Sequence, residues 1–386
     1  MISDSDQLIA VLALLYLADC LRWCRRGVVG LRAFAGRRFR ATLASRAVGN
    51  ARAGLLWANP LPPLGTLAAV EPWPVALSGE GLATVEPLEL DRGPREVFTP
   101  LAKRWSEIER VAARGKALVI DGAEFAQCSS ELGASRLAAR VERVRAAKEG
   151  EREALIEREL VAQFDPRAAE AALGRFESST KLLRGVSIAL TLFLIALTPL
   201  VLHEVGLELS WRWLLAGLLV LHFAAVVVFS RTYRALHAGD RAGWLASLLQ
   251  VAISPPQAAR AIDFAAWPAL CDAHPLAAAG LVDDSDRRAI ARAVLLDALH
   301  PREAPERIGE LARRVSAEHR ARLAALARKR LAELGLDEAS LLAVPSPDDV
   351  SRRSFCPRCE LQFDVEAALC PECETRARPL AGARVV

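Results

Sequence analysis

The sequence predicts a multi-domain α-helical membrane protein. It combines two spans paired as a hairpin and one N-terminal span with a small cytosolic α+β domain, a cytosolic all-α region and a C-terminal four-cysteine unit. Three observations predict this. Apolar residues fill 52% of 386 positions but are bunched into three runs between charged stretches, as a bilayer protein rather than a single globular core would distribute them. Two of the runs are joined by EVGLELSWR alone, too short for anything but an antiparallel pair. Four of the eight cysteines form two C-P-x-C pairs near the C-terminus.

The N-terminal run, residues 7–23, is the shortest: LIAVLALLYLA is closed by Asp19, so a transmembrane and an interfacial helix both fit. Acidic Asp4 and Asp6 precede it, where a cleaved signal would be basic. Residues 42–150 are expected to form a cytosolic α+β domain. The Pro- and Gly-punctuated GLLWANPLPPLGTLAAVEPWPVAL suits short strands, and KALVIDGAEFAQC suits two strands about Asp121-Gly122. Ser129 or Ser130 can cap a following helix. Residues 151–185 read as a helical linker, with Asp165 capping a helix that has Pro166 in its first turn.

Residues 186–230 hold the hairpin, VSIALTLFLIALTPLVLH and WLLAGLLVLHFAAVVVF, each close to the roughly 20 residues a bilayer core requires. Lys181, Arg184, Arg231 and Arg234 flank it on one side, whereas its loop offers Glu204 and Glu208; Arg22, Arg25 and Arg26 follow the first run. By the positive-inside rule this predicts an inner (cytoplasmic) membrane protein with its N-terminus outside and its large domains and C-terminus in the cytosol. Residues 240–344 are expected to be all-α. The apolar segment around Trp244 and Val251 should lie along the inner membrane surface, and Pro255-Pro256 should end it. Ile308, Leu311, Val315, Leu323 and Leu326 should line one buried face of a later helix.

In FCPRCELQFDVEAALCPECETRARPL, two knuckles separated by ten residues offer Cys356, Cys359, Cys370 and Cys373. Paired thiolates converging from a short hairpin suit the tetrahedral shell of Zn²⁺. Over residues 354–380 this resembles the short zinc-ribbon family, which implies one structural zinc ion. It departs from the family in carrying Glu360 and Glu374 where such ribbons often have Gly. A second candidate is His222, near the middle of its span and facing Thr191, to which a neutral imidazole could bond. The C-x-x-H pair Cys271 and His274 suits packing better than ligation, and the Arg-rich stretch 313–330 suits a solvated helix.

No phosphate loop, H-E-x-x-H, G-x-S-x-G or dinucleotide fingerprint occurs, so no catalytic residue is assigned. A net charge of +4 is too small to expect nucleic acid as a partner. The expectation is a membrane-anchored adaptor or regulatory protein with the lipid bilayer and cytosolic proteins as partners. The alternatives are a subunit of an oligomeric transporter or channel, for which a homo-oligomer would be needed, and nucleic-acid contact through the ribbon and the Arg-rich helix.

Overall fold

The computed structural model describes residues 4–19, 21–25, 28–34, 40–43, 53–57, 65–84, 102–300, 309–366, 368–371 and 375–380. It is mostly helical, with small antiparallel sheets. The first helix covers Asp4–Asp19, and Leu21–Arg25 is already strand, so the helix stops short of residue 23. Its 16 residues reach roughly 24 Å at 1.5 Å per residue, less than a bilayer core of about 30 Å.

Strands therefore begin ahead of residue 42. Leu21–Arg25 pairs with Ala53–Trp57, and Val29–Phe34 is central between Arg40–Leu43 and Gly65–Val70. Gly81–Thr84 is central between Val75–Leu77 and Ala102–Arg104. Ala117–Ile120 and Ala123–Gln127 form the expected hairpin, where Asp121 (φ 51°) and Gly122 (φ 82°) supply two successive positive-φ residues. The Asp121 side chain also secures the turn, accepting the backbone N–H of Glu109 and Arg110 and pairing with Lys103 at 2.5 Å. Ser130 caps the Glu131–Ala146 helix through the N–H of Gly133, and Asp165 caps Pro166–Ser179 through that of Arg167.

Helices of the expected all-α region pack on the sheets of the expected α+β domain. The Glu310–Glu333 helix lies on the middle sheet, with Ala312 and Val315 buried against Ala76 and Ala83. Leu31 and Val70 share a core with Leu276, Leu295 and Leu331. Small side chains let helix and sheet approach closely, and alanine barely marks a hydrophobic stripe, so the sequence pattern hides this contact. Of the stripe expected on that helix, Val315 is fully buried and Leu323 and Leu326 are partly buried; Ile308 lies outside the described residues.

Two helices are long and apolar enough to cross a membrane: Lys181–Glu204, of 24 residues, and Glu208–Leu236, of 29. They pack antiparallel about Gly206, whose φ of 81° permits the tight reversal. The first contains a π-helical stretch, Phe193–Leu197, just ahead of Pro199. The proline ring crowds the carbonyl one turn earlier and has no N–H to give it, so the turn widens there. The Phe193 ring fills the space beside Gly217, where a Cβ would stand 2.9 Å from it.

Beyond Leu236 the chain folds back. Tyr233 donates its hydroxyl to Asp240, which also caps the Arg241–Ile253 helix through Gly243; a Cβ on Gly243 would collide with both side chains. This helix runs antiparallel along the second apolar helix, with Trp244 Nε1 donating to Ser230 and, further along, Ala252 meeting His222. The Tyr233–Asp240 hydrogen bond and matching apolar faces hold it against that helix. Pro255–Ala259 and Ala261–Ala266 then return toward His237, whose Nε2 lies 2.9 Å from the carbonyl of Ala265.

Candidate metal centre and a buried polar site

The C-terminal unit is a three-stranded antiparallel sheet with Ser354–Phe355 between Gln362–Phe363 and Arg378–Pro379. Its first knuckle is closed by two backbone bonds of 2.8 Å, from Cys356 to Leu361 and from Glu360 to Cys356. Glu360 adopts a φ of 64°, the left-handed conformation that favours glycine. A non-glycine residue there costs on the order of 1 kcal/mol. Its carboxylate meets Arg292 at 2.5 Å, a contact glycine could not make. In the second half, Cys370 donates to Thr375 and Ala377 to Ala368, folding that limb back.

This arrangement brings the Sγ atoms of Cys356, Cys359 and Cys370 within 4.8 Å of one another. The Cys359–Cys370 separation is 3.6 Å, far beyond a disulfide bond of about 2.05 Å and close to the roughly 3.8 Å edge of a tetrahedron with metal–sulfur bonds of about 2.3 Å. Cys356 and Cys370 are fully buried and Cys359 is exposed. Three thiols so placed can hold a metal ion. Cys373 and Glu374 lie outside the described residues.

The unit is docked, and its linker is held. Arg358, inside the first knuckle, donates to the carbonyls of His300 and Leu296 and pairs with Asp297 at 2.6 Å. The Leu296 carbonyl also accepts the N–H of His300 at the end of the Asp284–Leu299 helix, so a cysteine-loop arginine reinforces that helix terminus. Burial, together with Arg378 and Arg358, holds the His300 imidazole below its ordinary pKa; its neutral Nε2 can accept from Arg378 at 3.3 Å. In the Pro-Ser-Pro linker, the Gln362 amide binds the carbonyl of Ser346 and the N–H of Asp348.

The second candidate site has a different partner from the one expected. His222 Nε2 lies 2.9 Å from the carbonyl of Ala252 rather than bonding to Thr191. The end of the Arg241–Ile253 helix presents carbonyls without intrahelical partners, which accept more strongly than a hydroxyl. Thr191 and Ser187 are buried one turn apart, and their hydroxyls reach no partner among the described residues. Arg260 and Asp263, 1% and 2% exposed, form an ion pair at 3.3 Å on the returning limb. The sequence reading missed this pair, although Arg and Asp three residues apart in an otherwise apolar stretch were a visible signal.

The chain matches no protein-family model, no curated protein and no solved structure.

The remaining candidates have structural roles. Burial raises the Cys271 thiol to about 11, and His274 stacks on Phe164 at 4.0 Å while capping Leu276. In the Arg-rich helix, Arg314 pairs with Glu80, Arg322 with Glu153 and Glu318, Arg328 with Glu338 and Arg330 with Glu333. His319, within that stretch, is buried, and its Nδ1 accepts the N–H of Leu77.

Proposed function

We propose that the chain is a membrane-anchored adaptor or regulatory protein, with the hairpin in the bilayer and the helix-and-sheet body presented to protein partners at the inner face. One observation carries this reading. The two long apolar helices bury only 22% and 11% of their most apolar windows, leaving Leu200, Trp213, Val220 and Phe223 exposed. A core helix of a water-soluble protein would cover such residues, and bare apolar faces of this size call for lipid or another protein. The basic flanks of the hairpin favour a cytosolic body and an outer loop at Gly206.

The cysteine unit fits a zinc ribbon holding one structural ion through Cys356, Cys359, Cys370 and Cys373. Four thiolates leave the metal no open position, so it would cross-link the unit and support no chemistry. The docking of Arg358 and Glu360 makes the ribbon part of the body. Quantitative affinity purification from native membranes tests the adaptor reading. A defined partner set lost from the Cys359→Ser and Cys370→Ser variant at equal abundance is the expected result; no partners, or partners unchanged, would refute presentation by the ribbon-bearing body.

A second reading, a transport or channel subunit, is favoured by the buried hydroxyls of Ser187 and Thr191 and the Arg260–Asp263 pair beside the hairpin. Reconstituted vesicles test it: His222→Ala should abolish flux while leaving assembly intact.

A further inference from the structure

At the basic end of the hairpin, where the second apolar helix finishes at Leu236 and His237, lies a cavity of about 180 Å³. Arg136 and Arg140 of the Glu131–Ala146 helix, Arg175 and Gln163 of the following helices, His237 and Asp272 provide its polar wall. It is smaller than the pockets of about 300–1,000 Å³ that enclose drug-sized molecules, and suits a small anion.

The charges around it do not balance. Arg136 and Arg140 share Asp272, and Arg140 and Arg143 share Glu159. Arg175 makes no ion pair among the described residues, so the three guanidiniums of the wall, Arg136, Arg140 and Arg175, face two carboxylates, Asp272 and Asp165. Asp165 keeps its charge but is turned to the N–H of Arg167, which it caps. Arg140 is largely buried over the face of Trp73, 5.4 Å from the ring centroid, and burial outweighs Glu159 in weakening its hold on its proton. A guanidinium donates in a planar fork that matches the oxygens of an oxyanion, and does so strongly where water is excluded. His237 is held neutral by burial and Arg136.

We propose that this cavity binds a phosphate group. Resting on the membrane reading above, the group would be the headgroup phosphate of an anionic lipid, because the cavity sits where the hairpin leaves the bilayer; a free phosphate has the same chemistry. Arg175 and Arg136 grip its oxygens from the rim, and Arg140 does so from the buried wall.

The test uses the full chain in neutral detergent titrated with inorganic phosphate, and in nanodiscs of phosphatidylcholine with and without phosphatidylglycerol. The readout is the thermal midpoint by tryptophan fluorescence, with chloride matching ionic strength. The expected result is a rise with either probe, its half-effect concentration shifted about tenfold in Arg136→Gln/Arg175→Gln. A response to phosphatidylglycerol alone assigns the lipid, and a response to inorganic phosphate alone assigns the free anion. No response to either probe, or an unchanged response in the variant, overturns the proposal. Extraction of the chain from membranes by alkaline wash would separately refute the membrane reading, leaving the inorganic phosphate arm to decide the cavity.

Discussion

The cysteine unit and the apolar hairpin attach to the same body with a different balance of directional and apolar contacts. The unit docks through directional contacts: Arg358 on the last carbonyls of the Asp284–Leu299 helix, and Glu360 on Arg292. The hairpin docks mainly through apolar packing, with Leu183, Leu190, Phe229 and Tyr233 against Ala258, Ile262 and Ala265 of the returning limb, to which the bonds of His222 and Tyr233 add a few directional points. Directional contacts can be severed one at a time without altering what the unit is built from. A packed apolar seam loses contacts on both sides with any large truncation.

The largest expected effect lies in the cysteine unit. Cys370→Ser should abolish metal binding and unfold residues 354–380, as metal analysis and hydrogen exchange would show; a folded, metal-loaded variant would break the claim that the thiols hold the unit together. In the seam, Phe229→Ala should cost about 3–5 kcal/mol, measured by denaturation in detergent. A loss below 1 kcal/mol would mean the limbs pack loosely.

A pH dependence comes next. His319 and His274 are buried and neutral, their pKa values lowered to about 4 and about 3. Unfolded, each takes up a proton near pH 6.5, so stability is full above that pH and falls as pH drops toward the folded values, by up to roughly 1.4 kcal/mol per unit for each histidine. His319→Gln should flatten the acid limb of the stability profile. The smallest effect sharpens the comparison most. Arg358→Ala should leave metal content unchanged while speeding amide exchange at the end of the Asp284–Leu299 helix, at a cost of about 1–2 kcal/mol. If metal were lost as well, docking and metal binding would not be separable.

Local chemistry was legible in the sequence and long-range packing was not. The Asp121-Gly122 turn, the Ser130 and Asp165 caps and the spacing within each C-P-x-C pair depend on residues within one or two turns of each other. The seating of Glu310–Glu333 on a sheet over 200 positions away depends on alanines, which carry little signal in any apolar pattern. His319 was hidden for a related reason, as a buried residue amid the most basic stretch of the chain. The fold-back onto the second apolar helix depends on Tyr233 meeting Asp240, which no periodicity encodes. His222 therefore met an acceptor from a helix expected elsewhere.

The widened turn at Phe193–Leu197 sets the phase of everything beyond it. One surplus residue in a helix turns the following residues by about 100° relative to a regular continuation. The half carrying Ser187 and Thr191 and the half carrying Leu200 and Leu202 are thus indexed separately on the same rod. Removing a single residue from that stretch would restore a regular helix and swing the outer half to a new bearing, whereas the same deletion two turns earlier would rotate the buried hydroxyls away. Length variation in relatives of this protein should therefore gather at residues 193–197 and spare the turns on either side.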